Sequence, residues 1–375
     1  MDVGILGGGQ LARMLALAGL PLGVRCRSLD PAADSVAGHA AELVVGAYDD
    51  PDALARLAQG TRVVTFEFEN VPVAATEWLA QHVAIAPTPR ALAIGQDRLL
   101  EKRLFGELGI AVPDYRTADD RAQLQVAVRA VGTPCVVKTR RLGYDGRGQM
   151  RLAAGADAAA VDAVWDALGG AGTGLIVERF VAFDRELSVI AARGHDGAIA
   201  VYPLAENEHA GGILRRSRAP APDVPPAVER SAIEFVRELV SHLGYVGVVA
   251  VELFLRGDTL LANELAPRVH NSGHWTIEGS VCSQFENHVR AVLGLPLGDT
   301  AMAGGGVATM INLIGALPSR ADLLALPGLH LHLYGKTPRA GRKLGHATCI
   351  GTDRSAVDAL AARAIELPLT APERD

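Results

Sequence analysis

Two carboxylates set in apolar surroundings are the residues of this chain whose type and spacing point most directly to chemistry. Glu252 lies within Val248-Val249-Ala250-Val251-Glu252-Leu253-Phe254, and Glu264 within Leu260-Leu261-Ala262-Asn263-Glu264-Leu265. A turn at Arg256-Gly257-Asp258 separates the two runs. If the runs pair as a hairpin closed by a three-residue loop, the two carboxylates stand opposite each other on one face. Two such charges about 4 Å apart repel by about 4 kcal/mol at an effective dielectric of about 20. They are tolerated together when one is protonated or when a cation lies between them. Oxygen donors and a phosphate to be neutralised favour Mg2+, and Asn263 offers one more oxygen. A structural ion pair, for instance with Arg268, is the plainer alternative.

Lys138 interrupts another apolar run, Cys135-Val136-Val137. A lysine in such a strand is costly unless its head reaches water or an anion. Gly143-Tyr144-Asp145-Gly146-Arg147-Gly148-Gln149 follows, with three glycines in six residues, and such a loop can turn its amides towards phosphates. No Gly-Lys-Ser/Thr triplet follows the loop, so this is no Walker loop. An exposed hairpin with a solvated lysine at its base is the alternative.

A third candidate opens the chain, where Gly4 is followed by Gly7-Gly8-Gly9-Gln10 after a short apolar strand. Amides at a helix start can hold a phosphate, and Asp30 stands where a dinucleotide fold places its ribose-binding acid. A nicotinamide-dependent oxidoreductase is therefore a second functional reading, although Arg13-Met14 falls where a glycine or alanine belongs. A bland tight turn remains open as well. Further polar clusters are Glu178-Arg179-Phe180-Val181 at a strand end, Glu206-Asn207-Glu208-His209, and Arg268-Val269-His270-Asn271-Ser272-Gly273-His274. Lys336, Arg339, Arg342 and Lys343 concentrate positive charge in a chain of net charge -6, as a solvated loop or as an anion-binding fork.

These groups need a scaffold larger than one core. At 375 residues the chain calls for two or three domains. Strands over 3–6, 24–29, 43–47 and 62–68, with helices between, predict a doubly wound parallel sheet. Its exit lies near Pro87-Thr88-Pro89. The middle segment predicts an α+β domain. It has a helix over 96–108 and strands over 135–139, 149–152, 175–178, 186–192 and 198–203. A helix over 227–243 follows the proline-rich stretch 220–226, and strands over 246–255 and 260–265 complete it. Strands near 307–314, 329–334 and 347–352 make a small β-rich cap. The boundaries fall at 1–92, 93–296 and 297–375.

Mixed charge without a basic stripe disfavours nucleic acid as a partner. Four scattered cysteines without a Cys-x-x-Cys pair fit neither a zinc site nor a disulfide framework. No apolar run approaches the roughly 20 residues needed to span a bilayer, and no basic leader opens the chain. A cytoplasmic enzyme is the expectation.

Taken together, these motifs resemble the ATP-grasp superfamily and, within it, the N5-carboxyaminoimidazole ribonucleotide synthase family. The resemblance runs over essentially the whole chain. Thr65-Phe66-Glu67-Phe68-Glu69-Asn70-Val71-Pro72, Gln96-Asp97-Arg98, the glycine loop, Asn263-Glu264 and Tyr334-Gly335-Lys336 carry it beside the runs above. Arg147 stands where many members have lysine. The resemblance implies a three-domain ligase that uses ATP, Mg2+ and bicarbonate to carboxylate the exocyclic amine of 5-aminoimidazole ribonucleotide in purine biosynthesis, through carboxyphosphate. It also implies a homodimer.

By that resemblance, Arg98, Lys138 and the loop Gly143 to Gln149 hold phosphates, with Asn263 and Glu264 beside them. Glu178, Arg179, Phe180, Val181, Glu186 and His209 hold adenine and ribose, and Glu252 and Glu264 bind Mg2+. Glu67 or Glu69, Tyr144, Asp145, Arg147, Arg268 and His274 face bicarbonate and the imidazole. Gly9 and Gln10 contact substrate, and Lys336 and Arg342 bind the ribonucleotide phosphate. A formate-using purine transformylase of the same superfamily is the nearest alternative, and Phe66 to Asn70 disfavours it.

Overall fold

The computed structural model of the protein describes residues 1–143, 146–169, 172 and 174–369. The chain opens with β1 (Val3–Leu6), α1 (Gln10–Gly19), β2 (Cys26–Asp30), β3 (Glu42–Val45), α2 (Pro51–Ala58), β4 (Val63–Phe66), α3 (Val73–Ala80) and β5 (Ala84–Ile85). These strands form one parallel sheet in the order β3-β2-β1-β4-β5. The doubly wound expectation is met. Near-continuous burial of β1 and β4 follows from helices covering both faces.

Helices α4 (Pro89–Gln96) and α5 (Arg98–Glu107) come next. The expected single helix over 96–108 is broken at Asp97. This residue is extended (φ -123°, ψ 108°), and its carboxylate accepts from the Leu99 amide at 3.0 Å. An aspartate at that point caps a new helix more favourably than it continues the old one.

A small antiparallel sheet, ordered β6-β9-β7-β8, comprises β6 (Tyr115–Ala118), β7 (Cys135–Thr139), β8 (Gln149–Leu152) and β9 (Leu175–Arg179). Helices α6 (Arg121–Val131) and α7 (Ala158–Leu168) cover one of its faces.

The largest sheet comprises β10 (Arg185–Arg193), β11 (Ile199–Val201), β12 (Ala205–Ala210), β13 (Ile213–Ala219), β14 (Gly247–Arg256), β15 (Thr259–Ala266), β16 (Val307–Ile314), β17 (Leu329–Leu333) and β18 (Lys343–Gly351). Its order is β15-β14-β10-β12-β13-β16-β18-β17, with β11 beside β10. Helices α8 (Pro226–His242), α9 (Thr276–Gly279), α10 (Gln284–Val292), α11 (Arg320–Leu324) and α12 (Arg354–Ile365) complete the chain.

Two differences from the sequence expectation stand out. Residues 205–219 form a hairpin, where a polar cluster following a strand was expected. Its charged side chains pair across the hairpin, Glu206 with Arg218 and Glu208 with Arg216, and Glu206 also binds Arg185 of β10. The strands of the last segment also continue the central sheet through the β13–β16 pairing. The β-rich cap is thus built onto the sheet that carries Glu252 and Glu264.

Apolar residues of α1 share one core with α10 and the central sheet, including Leu11, Met14, Leu15, Val248, Trp275 and Val289. His288 ties the two sheets directly. The Val248 amide donates to its Nδ1 at 3.1 Å, so Nε2 carries the proton it gives to the Thr65 hydroxyl at 2.8 Å. Among the described residues no helix is long and apolar enough to cross a membrane. All four cysteines are buried and free.

A second proton on His288 would face the Val248 amide, and burial holds the ring down at about 4. Unfolded, the ring titrates near about 6.5. Its contribution is therefore complete above about 6.5. It is lost at about 1.4 kcal/mol per unit as pH falls from there towards the folded value. Thermal melts should show a shallower loss between pH 6.5 and 4.5 for His288→Gln than for the unaltered protein. Equal slopes would remove His288 as a source of acid sensitivity.

Candidate active site

The hairpin of β14 and β15 sets the two carboxylates. A two-residue turn at Gly257-Asp258 closes it, with Arg256 facing Thr259 and Leu253 facing Ala262. Continued without interruption, that register would put Glu252 opposite Asn263. A bulge at Asn263 shifts it by one residue, so that Glu252 faces Glu264. The expected three-residue loop is thus replaced by a shorter turn and a bulge, and the pairing comes out the same. Burial, and then the Glu264 charge, raise the Glu252 carboxyl. The Asn263 amide donates to Glu252 at 3.4 Å, while its side-chain oxygen is buried without a partner.

Among the described residues no group of three or more His, Cys, Asp or Glu side chains is arranged to hold a metal alone. Two facing carboxylates with one orphaned amide oxygen do fit a hard divalent cation that takes its remaining ligands from phosphate oxygens and water. Arg98 leans on the pair from α5, its Nη1 3.1 Å from Glu264. Because Asp97 restarts the helix, Arg98 occupies its first turn. Asp97 also binds Arg140 (2.7 Å) and Arg141 (3.2 Å), which fixes the base of the glycine loop.

A cavity of about 950 Å3 runs past this pair. At one end Lys138, in β7, meets Glu178, in β9, at 3.0 Å. Burial lowers the Lys138 amine. Burial pushes the Glu178 carboxyl up, but Lys138, Lys102 and Arg98 outweigh it and hold the group at about 2. Val181, Glu186 and His209 line the same end, and His209 Nδ1 lies 2.5 Å from Glu186. Phe180 lies beneath the Arg151 guanidinium at 3.8 Å, and Phe183 stacks on Phe254 with centroids 4.6 Å apart. Flat apolar faces beside a buried Lys–Glu pair suit a heteroaromatic base that carries phosphates.

At the other end Glu69 pairs with Arg268. Burial raises the Glu69 carboxyl, and Arg268 overrides this to hold it at about 2. Lys336 donates to Gln10, and both line the cavity. His270 sits with Nε2 3.6 Å from Glu252, and His274 is buried beside it. Burial depresses both rings, His270 to about 3 and His274 well below the ordinary histidine range, so both are neutral near pH 7.

The opening glycines act differently from a phosphate cradle. The Glu67 carboxylate accepts from the amides of Gly9 (2.6 Å) and Ala12 (2.9 Å), filling the start of α1. A Cβ at Gly9 would lie 2.5 Å from Glu67 Oε1, and one at Gly7 (φ +107°) 2.4 Å from Glu67 Cγ. Asp30 is likewise engaged within the protein, accepting from the Gly8 amide and the Tyr48 hydroxyl at 2.9 Å each. With the helix start and the acid both occupied, the nicotinamide reading loses its support.

Most of the residues singled out from sequence meet in this one cavity, Arg147, Gly146, Gln149 and Arg179 included. Gly143 borders an adjoining recess with Arg98 and Glu264, and Gly148 packs on Thr139. Tyr144 and Asp145 lie outside the described residues. Arg342 is half-buried outside the cavity lining, with Nη1 donating to the Thr337 carbonyl at 3.2 Å, and its neighbour Lys343 lines the cavity instead. Lys343 opens β18 while Arg342 precedes the strand, and the basic cluster alone does not say which of the two faces the cavity. Phe254 lines the cavity without having been given a role from sequence, while His270 and Lys343 were named only as members of a polar run and a basic cluster. For His270 the available signal was its place two residues after Arg268.

Three family models match the chain. They are a ribonucleotide synthetase preATP-grasp domain over 1–96, an ATP-grasp domain over 103–285 and a phosphoribosylaminoimidazole carboxylase C-terminal domain over 308–360. N5-carboxyaminoimidazole ribonucleotide synthase of Pseudomonas aeruginosa is 47% identical over 359 residues, covering 96% of this chain and 97% of that one. The crystal structure of the synthetase from Thermus thermophilus superposes with a TM-score of 0.92 at 48% identity, over 99% of this chain and 100% of that one. The Aspergillus clavatus enzyme, solved with ADP and 5-aminoimidazole ribonucleotide, gives 0.89 at 31% identity, over 97% of both chains.

Gly9→Ala should force the Glu67 carboxylate off the start of α1 and destabilise the protein by about 1–3 kcal/mol. Urea unfolding measures this. A midpoint unchanged from the unaltered protein would mean that the Gly9–Glu67 contact imposes no packing constraint.

Proposed function

The chain belongs to the N5-carboxyaminoimidazole ribonucleotide synthase family of ATP-grasp ligases, and from that membership we propose how its residues carry out the family's reaction. The reaction is the ATP-dependent carboxylation of the exocyclic amine of 5-aminoimidazole ribonucleotide, a step of purine biosynthesis. The observation that carries this reading is one cavity joining a base-and-phosphate end at Lys138 and Glu178 to an anion end at Lys336, with the carboxylate pair between them.

ATP lies at the Lys138 end, its base against Phe180 and Phe254, its ribose near Glu186 and His209, and its phosphates on Lys138, Arg98 and the glycine loop. Glu252, Glu264 and the side-chain oxygen of Asn263 would hold Mg2+. When bound, the ion neutralises the charge gathering on the phosphates during transfer. Bicarbonate takes the γ-phosphoryl group through one of its oxygens, giving carboxyphosphate and ADP. The amine nitrogen then bonds to the carboxyl carbon, the carbon–phosphate oxygen bond breaks, inorganic phosphate leaves, and the amine gives up one proton.

Arg268, held in place by Glu69, faces the carboxylate being activated. Neutral His270 and His274 line the acceptor side without adding positive charge near the amine. Lys336, with Lys343 on the neighbouring strand, meets the ribonucleotide phosphate. Arg147, with Tyr144 and Asp145 before it in sequence, is assigned by family resemblance to bicarbonate and the imidazole. A homodimer is the assembly proposed with this reading.

ADP formation should rise when both bicarbonate and 5-aminoimidazole ribonucleotide are supplied, in a coupled assay. Lys336→Ala should raise KM for the ribonucleotide by roughly tenfold or more, with KM for ATP nearly unchanged. No stimulation by either substrate would overturn the reading, and equal rises in both KM values would remove the dedicated phosphate site.

A further inference from the structure

The bulge that brings Glu264 opposite Glu252 has its own support, and that support lies outside the cavity. Two consecutive side chains of α5, Glu101 and Lys102, are buried to 2% and 1% exposure. Neither borders the main cavity. Lys102 Nζ donates to the carbonyl of Asn263 at 3.2 Å, and Glu101 accepts from the amide of Leu265. These are the backbone groups on either side of Glu264, at the point where the ladder slips by one residue. A bulge takes backbone groups out of the ladder, and such groups need partners when buried. Here α5 supplies one donor and one acceptor. Lys102 also stands 3.5 Å from Glu178 Oε1, while Lys138 binds the other oxygen of that carboxylate.

Leaving one ammonium and one carboxylate inside a protein is costly unless both are engaged. An apolar pair would pack α5 equally well but would leave the bulge unsatisfied. The alternative register is the one that continues the turn, with Asn263 opposite Glu252 and Glu264 turned to the other face. We propose that Glu101 and Lys102 are positioning residues that hold the β14–β15 hairpin in its bulged register, and so create the divalent-cation site without touching the ion or the nucleotide. This rests on the metal role proposed for Glu252 and Glu264.

The experiment is Mn2+ binding in the presence of ADP, followed by loss of the free-ion electron paramagnetic resonance signal, without turnover. Ribonucleotide affinity is measured calorimetrically beside it, and thermal melting confirms folding. Lys102→Met and Glu101→Leu should each weaken Mn2+ binding by about tenfold or more, with ribonucleotide affinity within about twofold of the unaltered protein. Glu101→Gln keeps an acceptor for the Leu265 amide and should stay within about threefold. If Lys102→Met does not fold, the Glu101→Leu and Glu101→Gln contrast decides alone. Glu264→Gln separates the two levels. Unchanged Mn2+ binding in that variant overturns the metal reading itself. Loss there with full binding in folded Lys102→Met and Glu101→Leu overturns the positioning role. Parallel loss of Mn2+ and ribonucleotide binding in these two variants also overturns it, since general loosening would then explain both.

Discussion

Two like charges facing each other on adjacent strands form the constraint around which this molecule is arranged. Glu252 and Glu264 are neighbours across β14 and β15, and burial together with their mutual repulsion pushes the Glu252 carboxyl up. Left to local preference, a hairpin would avoid that pairing. The two-residue turn favours a register with Asn263 opposite Glu252, and the bulge defeats it. Such a pair is tolerated when one carboxyl is protonated or a cation is shared, and sharing a cation is the role proposed for it.

The surrounding charges follow from that choice. Arg98 is aimed at Glu264 from the first turn of α5, which exists as a separate helix because Asp97 caps it. Lys138 and Lys102 share Glu178, so the end of the cavity proposed for the nucleotide carries cations already paired with a carboxylate. A polyphosphate entering there meets donors fixed in advance, which is how phosphoryl transfer is favoured with little covalent help from the protein. At the acceptor end the logic reverses. Glu69 holds Arg268, the histidines are neutral, and Lys336 sits on Gln10 of the first domain. The cavity is thereby lined jointly by α1 and the segment between β17 and β18, and the apolar core common to α1 and α10 holds α1 in place.

How much of this could be read in advance depended on the range of the interaction. The carboxylate pair was legible because charges in apolar runs are conspicuous and a hairpin is local. The βα alternation of the first domain was legible for the same reason. The polar hairpin of β12 and β13 was not, because its charges satisfy one another across strands and leave no alternating apolar pattern. The glycines before α1 looked like a phosphate cradle, since nothing in their neighbourhood reveals that Glu67, 58 residues away, fills the amides. Lys343 and Arg342 could not be told apart without knowing where β18 begins and what it faces. Nothing in the helical pattern over 96–108 marks Glu101 and Lys102 as buried, and only the fold shows them facing inward.

The most direct test of the whole account is where a divalent ion sits. Crystals grown with Mn2+ and ADP, with data collected at the manganese absorption edge, would place the ion by anomalous scattering. The account predicts an anomalous peak within about 2.0–2.6 Å of oxygens from both Glu252 and Glu264. A peak held by only one of them, or by phosphates with both carboxylates turned away, would contradict it.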